Sequence, residues 1–122
     1  MQLHLPDDSL WFPPVSKAMP DGLLAVGGDL STERLLLAYR SGIFPWYNED
    51  EPPLWWSPDP RFVLFPDELK VSKSMQQVLK RNEFEFRVDS DFEGVINNCK
   101  EVKRKGMNGT WISDDIEDAY TE

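Results

Sequence analysis

Cysteine and histidine are nearly absent from this sequence. Its 122 residues include one of each, Cys99 and His4. A single cysteine excludes an internal disulfide framework, so we expect a reducing compartment. The sequence also has no C-x-x-C pair, no G-x-S-x-G nucleophile motif and no complete phosphate-binding glycine loop. We therefore expect neither a metal site nor a cofactor.

Long apolar runs and a surplus of positive charge are also missing. No stretch is long enough to span a bilayer, and the N-terminus lacks the basic start and apolar run of a signal peptide. We therefore predict a cytoplasmic protein with no membrane partner. Thirteen lysine and arginine residues stand against 22 aspartate and glutamate residues, for a net charge of -9. That balance argues against nonspecific binding of nucleic acid, which depends on a basic field.

Proline and tryptophan, by contrast, are abundant. The chain has ten prolines and five tryptophans, concentrated in its first half, which therefore cannot be mainly helical. We expect residues 1–30 to be rich in turns and residues 43–60 to be an irregular, aromatic segment. The rings can present a face to a ligand or staple a small domain to its neighbour, and composition favours neither. It also leaves open whether Trp55 and Trp56 are buried.

Four segments carry the signals of a helix. Each has a serine that can accept the first free backbone N–H groups, followed by apolar residues at helical spacing. Ser90 and Glu93 form a capping box, and Gly42 stands where a C-terminal glycine belongs. The predicted helices run from residue 31 to 42, from 72 to 82, from 90 to 106, and from 113 onward.

Composition changes after Pro60, which predicts a domain boundary there. Residues 61–65 and the alternating Phe84, Phe86 and Val88 predict two strands beyond it. We therefore expect one domain at residues 1–60 and the start of a second at residues 61–122. The last predicted helix has an apolar face but no C-terminal cap signal. We expect the second domain to be incomplete and the chain to be the N-terminal part of a longer protein.

Five motifs, taken in order, are similar to a known family. They are residues 21–31 (DGLLAVGGDLS), 35–39 (LLLAY), 41–47 (SGIFPWY), 54–61 (LWWSPDPR) and 109–112 (GTWI). Together they resemble the bacterial leucyl/phenylalanyl-tRNA-protein transferases. The resemblance covers essentially the whole chain, and five motifs in register are far more specific than any one of them.

The resemblance implies both a fold and a reaction. The fold is α+β, with a small N-terminal α/β domain followed by the first part of a GNAT-like acyltransferase domain. In the reaction, the α-amine of a protein that begins with Arg or Lys attacks the ester of leucyl- or phenylalanyl-tRNA, which marks the protein for the N-degron pathway. An aminoacyl ester is already activated, so positioning and electrostatics can supply catalysis without a protein nucleophile.

The resemblance also implies functional residues. Trp46 and Trp111 correspond to the tryptophans that hold the terminal adenosine of the tRNA, and their flat faces suit an unpaired purine. Tyr39 and Tyr120 occupy family positions near the same site, where they would line it. The catalytic acids and most of the pocket for the leucyl or phenylalanyl side chain belong to the later half of the family domain. We therefore expect this chain alone to be inactive.

A noncatalytic protein-interaction module is the alternative hypothesis. In that case the proline- and tryptophan-rich segment would bind a partner chain, and the acidic surface would provide solubility. Stable folding of the isolated 122-residue chain would favour this alternative. The sequence sets neither the preferred amino acid nor the oligomeric state.

Overall fold

The computed structural model describes residues 9–122, which form two compact units. The first unit comprises residues 9–59 together with residues 92–122, and the second comprises residues 60–91. The predicted domains, 1–60 and 61–122, are successive stretches of sequence rather than clusters in space, and their boundary stays a prediction. His4 lies outside the described residues.

Residues 9–122 fold as an α+β structure with four α-helices and one three-stranded antiparallel sheet. The strands are β1 (Leu23–Val26), β2 (Phe44–Pro45) and β3 (Leu54–Trp56), and the helices are α1 (Thr32–Arg40), α2 (Lys73–Arg81), α3 (Phe92–Glu101) and α4 (Asp114–Thr121). This confirms the α+β class and all four predicted helices. None of the helices in this part of the chain is long and apolar enough to cross a membrane.

The sheet is the element that the sequence patterns did not predict. Strand β3 lies between β1 and β2 and is antiparallel to both. Pro45 in β2 lacks a backbone N–H, which argues against a central strand, but proline is tolerated here because β2 lies at the edge of the sheet. The segment of residues 43–60, expected to be irregular, therefore supplies two of the three strands.

Helix α1 starts and stops at the predicted signals. The Oγ atom of Ser31 accepts a backbone N–H from its first turn. At its end Gly42 has a φ of 73°, and its N–H donates to the carbonyl of Tyr39 while the N–H of Ile43 donates to Ala38 at 2.8 Å. This pair of bonds is a Schellman motif, which requires a left-handed residue and so favours glycine. The motif turns the chain directly into β2 and leaves Ile43 buried.

Trp55 lies at the centre of the core of the first unit, so its burial, which composition left open, is decided by the structure. The side chain is completely buried, and its indole N–H donates to the carbonyl of Gly27 at 2.8 Å, so no polar group is left unsatisfied. The ring meets Phe12 edge-on, with centroids 4.9 Å apart. The buried apolar residues packed in this cluster are Leu24, Ala25, Leu35, Ala38 and Ile43.

A second buried cluster joins helices α3 and α4 to the same unit. Its members are Tyr47, Ile96, Ile112 and Ile116. Leu30 and Tyr120 are partly buried and pack against both clusters. Tyr120 therefore lies where the helical part of the unit meets the sheet and α1.

Helix α4 begins as predicted, and α3 is shorter than expected. Ser113 Oγ accepts the backbone N–H of Ile116 at 3.3 Å, and the acidic residues that follow Ser113 lie in the first turn, where they complement the helix dipole. Helix α3 begins at Phe92 and ends at Glu101, before the expected stop at Gly106.

An ion-pair network joins α3 to α4. Lys100 bonds to Asp114 and, at 2.6 Å, to Glu117. These hydrogen bonds raise the pKa of Lys100 above its usual range and lower the pKa of Asp114.

Helix α2 of the second unit carries the predicted caps. Ser72 Oγ accepts the N–H of Met75, and Asn82 ends the helix in the left-handed conformation with a φ of 51°. Two of its apolar residues, Met75 and Leu79, are exposed, whereas Val78 is half-buried.

The two predicted strands of the second unit are absent from the described structure. Residues 61–65 and 84–88 do not form strands there, and Phe62, Phe84 and Phe86 are exposed. A strand is stable only beside hydrogen-bonded neighbours, usually in a sheet of three or more strands. The two strand predictions were therefore wrong for this chain. Apolar residues in strand-like patterns indicate where a strand can form, but they do not provide the neighbouring strand that it needs.

Candidate functional site

Side-chain alternation along β2 and β3 creates an aromatic outer face on the sheet. Phe44 pairs with Trp56, and Pro45 pairs with Trp55. Pro45 and Trp55 are buried, so the opposite side of the sheet carries Phe44, Trp56 and, two residues after Phe44, Trp46. The indole N–H of Trp56 donates to the carbonyl of Trp46 at 2.7 Å. This bond anchors the backbone of Trp46, whose side chain remains 56% exposed.

Trp46 meets Trp111, which lies just before α4. The two rings are stacked, with centroids 5.6 Å apart and planes inclined by 24°. Trp111 is half-buried and packs against the cluster that contains Tyr47 and Ile112. A purine between the rings would need a separation of about 6.8 Å, twice the roughly 3.4 Å rise of stacked bases. The observed centroid distance of 5.6 Å is shorter than this, so the rings leave no room for a base between them. Each ring therefore covers one face of the other.

The two predicted tyrosines continue this line of rings. The ring of Trp111 meets Tyr120 edge-on at a centroid distance of 6.2 Å, and Tyr120 meets Tyr39 edge-on at 6.1 Å. The hydroxyl groups of Tyr39 and Tyr120 share a hydrogen bond of 2.6 Å. All four residues predicted for the site thus form one continuous set, in the order Trp46, Trp111, Tyr120 and Tyr39, which we call the aromatic row.

Burial raises the pKa of two tyrosine hydroxyls in and beside the row, those of Tyr120 and Tyr47. Burial, followed by the hydrogen bond to Tyr39, raises the pKa of Tyr120 far above its usual value of 10.0. Burial, followed by the charge of Asp115, raises the pKa of Tyr47. A neutral phenol keeps its proton and can donate a hydrogen bond to a carbonyl or ribose oxygen.

An acidic hollow of about 580 Å³ lies in the same unit, next to Tyr47. Its carboxylates are Asp29, Glu49, Glu51, Asp114, Asp115, Asp118 and Glu122. Asp29 is paired with the buried Arg34 at 2.9 Å, and that guanidinium lowers the pKa of Asp29. No group of histidine, cysteine, aspartate or glutamate residues in residues 9–122 has the arrangement of a metal site.

Phe44, Trp56 and Pro58 were not predicted as site residues, although they line an apolar pocket with Trp46. The sequence does contain a signal for them. If Pro45 is placed inward on an edge strand, alternation puts Phe44 and Trp46 on the outer face together. That step required the sheet, which the turn-rich composition concealed.

Comparison with known proteins shows which family the chain belongs to. Residues 28–59 match the family described as leucyl/phenylalanyl-tRNA protein transferase N-terminal domain, and residues 63–122 match the family described as leucyl/phenylalanyl-tRNA protein transferase. The chain belongs to the leucyl/phenylalanyl-tRNA protein transferase family. The resemblance drawn from the five sequence motifs is thereby confirmed, and all four residues of the aromatic row lie within the two matched segments.

Individual curated relatives of this chain carry the name of the same family. A leucyl/phenylalanyl-tRNA--protein transferase of Flavobacterium johnsoniae is 58% identical over 113 residues, which cover 93% of this chain and 53% of the relative. The protein of that name from Syntrophus aciditrophicus is 57% identical over 110 residues, covering 90% and 46%. The one from Pseudomonas fluorescens Pf0-1 is 52% identical over 124 residues, covering 100% and 54%. The chain thus spans about half the length of the curated relatives it matches.

Proposed function

We propose that this chain provides the tRNA-end binding surface of an aminoacyltransferase that moves leucine or phenylalanine from aminoacyl-tRNA to the N-terminal Arg or Lys of a protein. Membership of the transferase family supports the reaction. The aromatic row is the observation that carries the proposal, because it unites four residues from distant parts of the sequence in one partly exposed set of rings. Exposed rings of this kind are the usual platform for unpaired bases.

Trp46 and Trp111 hold the terminal adenosine in this proposal. Because the rings cover each other's inner faces, the purine enters by displacing one ring from the other. Trp46 is the ring that moves, since its side chain is 56% exposed whereas Trp111 is half-buried in the second cluster. Tyr39 and Tyr120 line the substrate side of the site. One of their hydroxyls donates to the other in the shared hydrogen bond, and the accepting hydroxyl is left to donate to an oxygen atom of the ribose or the ester.

The reaction needs no nucleophile from this chain. The α-amine of the acceptor protein attacks the ester carbonyl carbon, a C–N bond forms, and the bond from that carbon to the ribose oxygen breaks. The proton lost by the amine goes to the departing ribose hydroxyl, so atoms and charge balance. Since the ester is already activated, orientation of the two substrates is the main requirement. We assign catalytic groups to the part of the family's length that lies outside this chain.

The acidic composition of the chain is compatible with this proposal. A protein that grips only the acceptor end of a tRNA makes few phosphate contacts and relies less on counterion release than a duplex reader does. Stacking on the aromatic row supplies affinity without a basic field.

The proposed architecture has a domain at residues 1–60 and the first part of a GNAT-like acyltransferase domain at residues 61–122. The two family segments meet between residues 59 and 63, which supports the division. We place the reaction in the cytoplasm, where aminoacyl-tRNA is available and the product enters the N-degron pathway.

Transfer of labelled leucine from leucyl-tRNA to a peptide that begins with Arg tests the proposal. The protein encoded by the whole open reading frame, called the full-length product below, is compared with the 122-residue chain. We expect transfer by the full-length product only, and none to the same peptide with an acetylated N-terminus. No transfer by the full-length product would overturn the proposal and favour a protein-interaction module. Transfer by the 122-residue chain would overturn our placement of the catalytic groups.

A further inference from the structure

The outer face of the sheet carries an apolar pocket that the proposed adenosine site does not use. Phe44, Trp46, Trp56 and Pro58 line this pocket, which has a volume of about 310 Å³ and which we call the sheet-face pocket. Trp111 is not among its lining residues. The pocket and the stack on Trp111 therefore have only Trp46 in common.

The strands that carry these rings are anchored from the inner side of the sheet. Trp55 and Pro45 alternate with them along the strands and are fully buried in the core. The indole N–H of Trp56 is bonded to the carbonyl of Trp46, and the N–H of Trp46 donates to a carbonyl of β3 at 3.0 Å. With these polar groups satisfied, the surface offered to a ligand is the apolar surface of the rings. Such a surface is suited to a flat, unsaturated ligand.

We propose that the sheet-face pocket stacks the unpaired base of the nucleotide that directly precedes the terminal adenosine of the tRNA. This inference rests on the proposed function and extends its adenosine site by one nucleotide. Trp46 belongs to both sites, with adenine on the side shared with Trp111 and the preceding base on the side shared with Phe44 and Trp56.

The spacing of the two bases fits a single strand. One indole between two bases separates them by about 6.8 Å, twice the roughly 3.4 Å rise of stacked bases. Proteins that bind single strands place successive bases on aromatic side chains in this way. The 3′ end of every tRNA is unpaired and ends in cytidine, cytidine and adenosine, so the base in question is a cytosine.

The chemistry of the pocket predicts which part of the nucleotide contributes. Among residues 9–122, no lysine or arginine lines the pocket, so it offers nothing to a phosphate. The gain from the added nucleotide should therefore come from its base. That gain should change little with salt concentration, whereas phosphate contacts weaken steeply as salt rises.

Three ligands separate these contributions in a binding experiment on the full-length product. The first is a phenylalanyl-adenosine amide, which cannot be hydrolysed as the ester can. The second carries a cytidine linked through a phosphodiester to its 5′ oxygen, and the third carries the same ribose phosphate without the base. We expect the cytidine ligand to bind roughly 5- to 100-fold more tightly than the adenosine ligand, and the abasic ligand to gain less than about 3-fold.

Variants then locate the gain. We expect Phe44→Leu to remove most of the cytidine gain while the affinity for the adenosine ligand stays within about 3-fold. Trp56→Leu should remove the gain as well, measured against that variant's own affinity for the adenosine ligand, because the Trp56 indole N–H also anchors the backbone of Trp46. The matched control is Trp11→Leu, which removes another partly exposed tryptophan of the same unit, away from this pocket. It should keep the full gain.

The possible outcomes distinguish the two proposals. If the adenosine ligand does not bind to the unmodified full-length product, the proposed function itself is contradicted. Normal adenosine binding with no cytidine gain would overturn only the inference. An equal gain from the abasic ligand, or a gain that survives both Phe44→Leu and Trp56→Leu, would also overturn it.

Discussion

The two tryptophans of the aromatic row should differ in what they contribute to folding while contributing alike to binding. Trp46→Leu removes a ring whose side chain is 56% exposed. The fold loses mainly the stack on Trp111, worth about 0.5–1.5 kcal/mol. Trp111→Leu removes a half-buried ring that packs against the second cluster and Tyr120. A fully buried tryptophan costs about 3–5 kcal/mol on truncation to alanine, so a half-buried one replaced by leucine should cost about 1–3 kcal/mol.

Binding should respond differently from stability. Each ring stacks on the terminal adenine in the proposed site, and loss of one stacking partner costs about 1–3 kcal/mol, or roughly 5- to 150-fold in affinity. We therefore expect similar losses of affinity for the phenylalanyl-adenosine amide in the two variants. Trp111→Leu should, however, lower the free energy of unfolding more than Trp46→Leu does.

The assay pairs a ligand titration with urea unfolding, both on the full-length product. Trp11→Leu again controls for removal of a partly exposed tryptophan and should leave the affinity unchanged. A folded Trp46→Leu variant with unchanged affinity would refute the assignment of that ring to the adenosine. Equal destabilisation by Trp46→Leu and Trp111→Leu would refute the reasoning from exposure.

Two further predictions concern the scaffold of the first unit. Gly22→Ala should destabilise the protein by about 1–3 kcal/mol, since Gly22 has a φ of 97° and an added Cβ would lie 2.8 Å from the Cα of Pro58. Thermal unfolding measures this loss. The control is Gly42→Ala, which should cost less because an added Cβ there would meet open space. Asp29→Asn should lower the free energy of unfolding by about 1 kcal/mol at pH 7, because Arg34 loses the carboxylate of Asp29. The loss is modest because the Asp29 side chain is mostly exposed. Arg34 lowers the pKa of Asp29 below its ordinary value of 3.8, so the difference from wild type should be complete above that pH and shrink as the pH falls through the lowered value. A difference that stays constant on acidification would show that the ion pair is not its source.

The local parts of this fold were readable from the sequence by itself. Ser31, Ser72 and Ser113 each cap a helix where the pattern placed one, and Gly42 ends α1. These signals act within about one helical turn, so their partners are neighbours in the sequence. The ordered motifs were sufficient for the family as well, and they named the four residues of the aromatic row.

Only the tertiary structure decided how distant segments combine. Pairing in a sheet joins residues far apart in the chain, and Pro45 is acceptable in β2 only because that strand lies at an edge. The same pairing sends Trp55 into the core and its neighbour Trp56 to the outer face, a difference that composition left open. Residues 61–65 and 84–88 show the converse, since a strand pattern without an adjacent strand did not produce a strand in the described structure. The stacking of Trp46 on Trp111 likewise depended on the second buried cluster, which holds Trp111 beside the end of β2.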